Sequence, residues 1–351
     1  MSYRVVQWAT GTVGIHSVPA IAAHPDLDLV GLWVHSDDKV GRDAGEICGS
    51  SPVGVLATQD GESLIHDSDA DCIVYMANSD VRPDGVIDDI CGMLAAGCNV
   101  VNTSYVPLLF PLAAGVGVYE RLQAACVEGG TSFYTSGIDP GFGNAGLAIP
   151  AMAMCTEVQT VRMMEIINYD TWNNPFTMFE IMGFGKPDTT TSLLLAPGSI
   201  ALAWGPVVEM VAAALDIQLD AITEWHEIIY ADEAFSIASG PIPVGGISGM
   251  HFEIRGMVGG QARIVVEHVT RLRDNDAPNW PQGQGYRIVI EGEPSMKLEL
   301  EISSAHGDHN WAGCMATAAH VINAIPAVIE AEPGVLTYLD LPVYTARHLM
   351  T

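Results

Sequence analysis

The chain has 351 residues, 49% of them hydrophobic and 16% charged, which is enough for two domains with separate hydrophobic cores. It carries 42 acidic and only 14 basic residues, a formal net charge of −28. Nucleic acids and anionic membrane surfaces are recognised by clusters of Lys and Arg, so we expect no nucleic acid and no membrane as a partner. An anionic cofactor would have to be held by backbone N–H groups and a few local cations.

The cysteines and the chain start indicate a cellular compartment. The seven cysteines are odd in number and none has C-x-x-C spacing, which predicts free thiols rather than disulfides or a zinc knuckle. The first predicted strand begins at residue 3 or 4 and leaves no room for a signal peptide. No apolar run approaches the ~20 residues of a membrane span. We therefore expect a cytoplasmic protein.

The chain opens with a predicted strand, a glycine turn and a helix. The strand is Arg4 to Trp8, and an apolar segment with helical spacing occupies residues 15–22, in which Pro19 predicts a bend or an early end. Between them, Gly11 would let the backbone approach a diphosphate, and Gly14 would let the helix pack closely on the strand. The helix N-terminus would hold the phosphates. The predicted cofactor-binding residues here are Ala9, Thr10, Gly11, Thr12, Val13 and Gly14. Because the motif is A-x-G-x-x-G, incidental glycines in a plain strand-turn-helix are the alternative.

The end of the second predicted strand, residues 27–34, indicates which dinucleotide binds. An acidic residue there favours NAD, whereas cations accommodate the 2′-phosphate of NADP. Lys39 and Arg42 favour NADP(H), although Asp37 could reach a ribose hydroxyl and so NAD(H) stays open; the two cations could also be solvated loop charges. The residues predicted to meet this part of the cofactor are His35, Ser36, Lys39 and Arg42.

Three more predicted strands, ending near residues 77, 102 and 136, alternate with helices. This rhythm predicts a Rossmann-type, doubly wound parallel sheet of the α/β class, whose ligands lie beyond the carboxyl ends of the strands. Further cofactor-binding candidates at these ends are Ala77, Asn78, Asn102 and Thr103. From Glu157 onward, strands joined by turns predict a second, α+β domain with a mainly antiparallel open sheet. One face of that sheet could pack on a second subunit, which predicts a homodimer.

Several segments, in this order, resemble a known family. They are R-V-V-Q-W-A-T-G-T-V-G at the start, V-G-R-D-A-G-E at 40–46, N-V-V-N-T at 99–103 and G-I-D-P-G-F-G-N at 137–144. The chain is similar over most of its length to 2,4-diaminopentanoate dehydrogenase and the native amine dehydrogenases, whose N-terminal domain is like that of dihydrodipicolinate reductase. The resemblance implies a nicotinamide cofactor and reversible oxidation of a C–N bond. It also implies that residues 305–351 return to the dinucleotide-binding domain, residues 1–145, after a substrate and dimerisation domain at 146–304.

One departure from the family concerns the residue that transfers the proton during the reaction. The resemblance implies a glutamate just after the fourth strand that handles the proton and ammonia, but this chain has no Asp or Glu between Asp89 and Glu120. The corresponding loop offers Tyr105, whose neutral phenol could protonate a developing alkoxide; a pocket-wall aromatic is the alternative. A positioned acid-base group is worth ~10²–10⁴ in rate. Tyr105 and Asn168 are the predicted catalytic residues, and the Tyr105 prediction fits ketone or aldehyde reduction better than ammonia activation.

We expect the substrate crevice between the two domains. Its predicted apolar wall favours a hydrophobic small-molecule substrate, although these residues could equally be core: Ile138, Phe142, Tyr169 and Met178. Structural or surface roles are more typical of His268, His306 and His309. H-G-D-H at 306–309 lacks a third recognisable ligand, so we expect no metal.

The sequence thus predicts an NAD(P)H-dependent oxidoreductase that transfers hydride to or from a hydrophobic carbonyl or imine, by ketone or aldehyde reduction or by reductive amination. A catalytically weak nucleotide-binding sensor or scaffold is the alternative, because the missing acid permits it.

Overall fold

The computed structural model describes residues 2–79, 82–305 and 308–350. The chain forms two compact units. The first comprises Met1–Ile138 and Cys314–Thr351, and the second comprises Asp139–Gly313. The sequence predicts these boundaries after residues 145 and 304.

The strands are β1 Tyr3–Trp8, β2 Leu27–Trp33, β3 Ala57–Thr58, β4 Cys72–Tyr75, β5 Asn99–Asn102, β6 Ser132–Thr135, β7 Glu157–Asn168, β8 Ala221–Tyr230, β9 Phe235–Ile237, β10 Gly240–Ile242, β11 Ile247–Val258, β12 Gln261–Arg271, β13 Gly285–Glu293, β14 Met296–Leu300 and β15 Gly334–Leu336. The α-helices are α1 Gly14–Ala23, α2 Ala44–Ile47, α3 Gly61–His66, α4 Pro83–Ala95, α5 Val116–Gly129, α6 Leu147–Met152, α7 Ser199–Ala214 and α8 His309–Ile329.

The first unit is built on a seven-stranded parallel sheet in the order β15-β6-β5-β4-β1-β2-β3. Its strands are apolar along their length because both faces are covered. Along β1, Val5 belongs to one core and Val6 to the other, and Val74 and Ile73 of β4 divide in the same way. The alternation follows from the two-residue period of a strand. This is the Rossmann-type, doubly wound sheet that the sequence predicts.

Two short edge strands, β3 and β15, complete the sheet and were not predicted. The expected effects of proline also differ from the structure. Helix α1 continues through Pro19 to Ala23, with Val18 and Ile21 completely buried on the same helix. Apolar packing therefore maintains the helix despite the hydrogen bond that proline removes.

The second unit contains a mixed, mostly antiparallel sheet in the order β14-β13-β7-β12-β11-β8, in which only β7 and β12 run parallel. Its register places Phe252, His268, Glu165 and Tyr286 in one row across β11, β12, β7 and β13. Helix α7 packs on this face, where the Trp204 ring lies 4.5 Å from that of His268. The α+β class with a mainly antiparallel sheet is confirmed.

Helix α8 is the one described helix that is long and apolar enough to cross a membrane, with a mean hydropathy of 1.5. However, 56% of the apolar window lies inside the structure. Val321 and Val328 are completely buried in a core of the first unit, as expected for the central helix of a folded domain. The helix is continuous through Pro326.

Candidate active site

The turn that follows β1 has an unusual backbone at Ala9. This residue has φ +75°, in the left-handed region that favours glycine. Its N–H donates to the Trp33 carbonyl at 2.9 Å, and its carbonyl accepts from Gln7 Nε2 at 2.8 Å. Gln7 is completely buried. The alanine therefore takes the conformation that suits the first glycine of a dinucleotide fingerprint, held by hydrogen bonds on both sides.

The two glycines of the motif have different surroundings. A Cβ at Gly14 would lie 2.4 Å from the Ala9 carbonyl oxygen, so only glycine lets α1 start this close to β1. A Cβ at Gly11 would meet nothing within 4 Å. Space beside the Gly11 backbone is thus open, as a cradle for a ligand requires.

The N-terminus of α1 is suited to an anion. Val13 is the N-cap residue, no side chain caps the helix, and the first turn contains no acidic residue. The N–H groups at a helix start and the positive end of its dipole bind phosphates in this setting. The donors and the open space at residues 10–14 therefore fit the diphosphate of a dinucleotide.

Lys39 lies against this turn. Its Nζ donates to Thr10 Oγ1 at 3.0 Å and to the Thr10 carbonyl at 3.2 Å. Asp37 Oδ1 accepts from Gln59 Nε2 at 2.9 Å, so this acidic oxygen is already engaged. His35, Ser36 and Arg42 are exposed. Of the residues predicted after β2, Lys39 is the one that a hydrogen bond joins to the glycine turn.

The other strand ends meet the same edge of the parallel sheet. Met76 N donates to the Trp8 carbonyl at 2.9 Å, which places Ala77 and Asn78 beside the turn after β1. At the ends of β5 and β6, buried Asn102 donates through Nδ2 to Thr135 Oγ1 at 3.0 Å. Thr103 N donates to the Tyr75 carbonyl at 3.2 Å. The structure thus brings these predicted residues to the edge where Rossmann-type sheets bind ligands.

Tyr105 follows β5 and packs, half-buried, against the apolar cluster of this unit. Burial raises the pKa of its phenol, and the Asp84 carboxylate adds to the increase. Tyr105 is therefore neutral at physiological pH and keeps a proton to donate.

Asn168 lies at the carboxyl end of β7 with both ends of its amide engaged. Nδ2 donates to Asp274 Oδ1 at 2.7 Å, and Oδ1 accepts from Asp170 N at 2.9 Å. Asn168 lines a cavity of 680 Å³ in the second unit, and the other lining residues are Ile167, Asp170, Thr171, Arg271, Asp274, Gln282, Gly283, Gln284, Asp308 and His309. Its hydrogen bonds give Asn168 a structural part in that wall.

The four predicted pocket residues are divided between the two units. Ile138 belongs to the first unit, where its N–H donates to Thr317 Oγ1 at 3.2 Å. In the second unit, Met178 is completely buried and Phe142 packs beside Gly146. The Tyr169 ring stacks on the Trp172 ring, and the two form an aromatic pair in the second unit.

The second unit contains a buried ionisable cluster that the sequence did not predict. His268 Nδ1 lies 3.1 Å from Glu165 Oε2, and His268 Nε2 lies 3.3 Å from Asp139 Oδ1. All three side chains are at most 6% exposed. Trp204 Nε1 donates to Asp139 Oδ1 at 2.7 Å, and the Tyr169 hydroxyl donates to Glu165 Oε2 at 3.1 Å. We call Asp139, Glu165 and His268 the acid–histidine cluster.

The electrostatics of this cluster favour a charged histidine. Burial disfavours the imidazolium, but the two carboxylates outweigh it and raise the pKa of His268 to about 10. Burial raises the pKa of the Asp139 carboxyl, with a further increase from Glu165. Burial also opposes the charge on Glu165, but the contact with His268 leaves its pKa below the ordinary value. The resting cluster is therefore an imidazolium–carboxylate pair beside a carboxyl group that binds protons readily.

A second buried group, His251, Glu253 and Glu267, lies on the opposite face of the same sheet. Within each of the two sets, the donor atoms lie within 4.8 Å of one another, which is close enough to hold a metal ion. In the second set, Arg162 pairs with both glutamates, and Arg255 pairs with Glu253 at 2.5 Å. Because two cations balance two anions there, a metal would gain little. His306, from the H-G-D-H segment, lies outside the described residues, and burial lowers the pKa of His309.

Comparison with known proteins shows which family the chain belongs to. The family model of the 2,4-diaminopentanoate dehydrogenase C-terminal domain matches residues 147–350. An amine dehydrogenase of Streptomyces virginiae is 36% identical over 97% of this chain and 96% of its own. The chain belongs to the 2,4-diaminopentanoate dehydrogenase family. Its resemblance, inferred from the sequence motifs, is thereby confirmed, and family membership makes the chain an enzyme of the dehydrogenase class.

Two more distant proteins are similar to this chain over nearly its full length. The 2,4-diaminopentanoate dehydrogenase of Acetoanaerobium sticklandii is 23% identical over 97% of this chain and 93% of its own. The structure of an amine dehydrogenase from Mycobacterium smegmatis matches 98% of this chain and 97% of its own, with a TM-score of 0.81 at 20% identity. The last likeness concerns the fold.

Proposed function

We propose that the protein is an NAD(P)H-dependent oxidoreductase that acts on an amine and the corresponding hydrophobic ketone or aldehyde. The observation that carries the proposal is the open cradle beside Gly11 at an uncapped helix N-terminus. Residues 10–14 would hold the diphosphate through backbone N–H groups, with Lys39 as the adjacent cation. A bound nicotinamide supplies the acceptor or donor of hydride.

The Streptomyces virginiae relative supports the amine as the substrate class. In the oxidative direction, R₂CH–NH₃⁺, NAD(P)⁺ and water give R₂C=O, NH₄⁺, NAD(P)H and one proton. The missing acid after β5 keeps a second reaction open, in which R₂CH–OH and NAD(P)⁺ give R₂C=O, NAD(P)H and one proton. Tyr105 keeps the proton that ketone or aldehyde reduction requires.

The deciding experiment follows NADPH and NADH oxidation with a panel of hydrophobic ketones and aldehydes, with and without ammonia. Turnover that requires ammonia supports amine formation, and turnover without it supports alcohol formation. Tight binding of NAD(P)H without turnover on any compound would instead support a nucleotide-binding sensor. No binding of either nucleotide would contradict the proposal.

We also propose NADP(H) as the preferred cofactor, a homodimer as the assembly and the cytoplasm as the location. Lys39 at the glycine turn supports NADP(H) as the cofactor. The open sheet of the second unit supports the homodimer. All seven cysteines are free, as the cytoplasm favours. Comparing enzyme levels in cytoplasmic and other cell fractions tests the location.

A further inference from the structure

We propose that Asp139 is the acid-base residue of this enzyme, with His268 and Glu165 as the residues that position it. The proposal rests on the proposed function, because both reactions considered there release one proton that a protein group must accept. It would supply the proton carrier that the loop after β5 lacks. No Asp or Glu lies between Asp89 and Glu120, so that loop offers no carboxylate.

The position of Asp139 in the chain supports its role as the acid-base residue. Asp139 comes four residues after Thr135, the last residue of β6. Four residues span at most ~14 Å, so Asp139 must lie near the carboxyl end of β6. That end pairs with the end of β5, where Asn102 lies opposite Thr135 and the loop that contains Tyr105 begins. The chain distance alone therefore keeps Asp139 close to the strand end that pairs with β5.

The surroundings of Asp139 suit a group that gains and loses a proton. The Trp204 indole N–H donates to Oδ1 at 2.7 Å and fixes the orientation of the carboxyl group. His268 Nε2 lies 3.3 Å from the same oxygen, yet it is a buried nitrogen with no hydrogen-bond partner among the described residues. The contact is electrostatic rather than a formed hydrogen bond. A small movement of either group would complete it when the proton moves.

His268 is in turn held from several elements. Glu165 on β7 contacts Nδ1 at 3.1 Å, and the Phe252 ring on β11 stacks on the imidazole at 4.8 Å with only 5° between the planes. Trp204 on α7 packs at 4.5 Å. The titratable groups near the cluster are Tyr169, Tyr286 and His309, which act on Glu165 or Asp139. Of these, Tyr169 also donates a hydrogen bond to Glu165.

These contacts define the role of each residue. In the oxidative direction, the proton on the substrate nitrogen or oxygen passes to the Asp139 carboxylate as the adjacent carbon gives up its hydride, for which a bound NAD(P)⁺ would be the acceptor. His268, as an imidazolium, stabilises that carboxylate before the transfer, and Glu165 balances the charge of His268. In the reductive direction, Asp139 returns the proton. Burial raises the pKa of the Asp139 carboxyl above its ordinary value, which favours proton uptake by this group.

The opposite face of the sheet provides a matched control. His251 is also a buried histidine, and its Nε2 lies 2.8 Å from Glu267 Oε1. The exchange His251→Asn removes a buried histidine–glutamate contact from the same sheet but lies on the face away from Asp139. A purely structural role predicts similar effects of His251→Asn and His268→Asn.

The test compares steady-state and single-turnover kinetics of Asp139→Asn, His268→Asn and His251→Asn, after the wild type is shown to turn over. We expect Asp139→Asn to lower kcat about 10²–10⁴-fold while KM and the cofactor Kd change less than about threefold. His268→Asn should shift the pH profile of kcat/KM, and His251→Asn should leave it unchanged. Asp139→Asn with a kcat within about threefold of the wild type would overturn the proposal, as would a stoichiometric metal ion found at the cluster by elemental analysis.

A measurement on the wild type keeps the test decisive if Asp139→Asn does not fold. We expect a solvent deuterium effect of about twofold or more on the single-turnover rate, together with a kcat/KM that follows one ionisation and a shift of that ionisation in Glu165→Gln. An unchanged ionisation in folded Glu165→Gln would overturn the proposal. A wild type that binds no nicotinamide nucleotide would instead contradict the proposed function itself.

Discussion

Gly14 and the carbonyl oxygen of Ala9 lie so close that a β-carbon at residue 14 would stand 2.4 Å from that oxygen. Ala9 cannot retreat easily, because its N–H and carbonyl are both bound. We expect Gly14→Ala to lower the free energy of unfolding of the first unit by about 1–3 kcal/mol, since a clash in a packed region costs that much. Urea unfolding followed by circular dichroism measures the change, and an unaltered midpoint would contradict the expectation.

Gly11 is the matched position at which an added side chain should leave stability unaffected. A side chain there meets no atom within 4 Å, so Gly11→Val should leave stability nearly unchanged. The same side chain would occupy the cradle at the start of α1, and we expect the Kd for the dinucleotide to rise at least about tenfold. Titration calorimetry of the folded variant measures this. Normal affinity in Gly11→Val would place the diphosphate elsewhere.

The cations after β2 determine the expected cofactor preference. Lys39 lies on the glycine turn and Arg42 is exposed, in a chain with only 14 basic residues. We expect the double exchange Lys39→Ala, Arg42→Ala to weaken NADPH about tenfold or more while NADH changes little, because only NADPH carries the 2′-phosphate. The measured quantity is the ratio of the two kcat/KM values, and the exchange Arg121→Ala is the control for the loss of a cation elsewhere. An unchanged ratio would reject the assignment.

Tyr105→Phe separates the two candidates for the proton. If Tyr105 is the donor, loss of the hydroxyl should reduce ketone or aldehyde turnover about 10²-fold or more. If Asp139 carries the proton, Tyr105→Phe should stay within about threefold of the wild type, because the ring still packs on the apolar cluster. Rates of carbonyl reduction at saturating cofactor decide between these outcomes.

The sequence allowed the Rossmann-type sheet to be predicted because β1, β2 and β4 are apolar runs that end in polar turns. It gave no signal for β15, since Gly334–Leu336 is a strand only through its pairing with β6, about two hundred residues earlier in the chain. The acid–histidine cluster was missed for the same reason. Asp139, Glu165 and His268 are far apart in sequence, and only the pairing of β7 with β12 makes the last two neighbours.

The open face of the second sheet carries the expected dimer contact. Arg255 lies 5.6 Å from the centre of the Trp225 ring, and the neighbouring Thr223 on β8 is exposed. We expect a dimer in sedimentation velocity, and we expect Thr223→Arg to weaken it by placing a second cation beside Arg255. Val343→Arg adds the same charge at a fully exposed position of the first unit and should have no effect. A monomeric wild type would contradict the dimer, and a Thr223→Arg dimer of normal affinity would move the contact to another surface.

The raised pKa of His268 makes stability depend on pH. Its pKa in the folded chain is about 10, above the ordinary value of 6.5, so the folded state holds a proton that the unfolded state releases. The stabilisation is fully present below pH 6.5 and is lost as the pH rises toward 10. Each such proton lowers the free energy of unfolding by at most ~1.4 kcal/mol per pH unit. Asp139, with its raised pKa, acts in the same direction.

Urea unfolding of the wild type and of His268→Asn between pH 6 and 8.5 measures this dependence. We expect the difference in unfolding free energy between the two proteins to shrink steadily as the pH rises. Titrating groups away from the cluster cancel in the difference, and His251→Asn should keep the slope of the wild type because the cluster is intact in it. A difference that does not change with pH would show that His268 is neutral in the folded protein, and Asp139 would then lack the positive charge that stabilises its carboxylate.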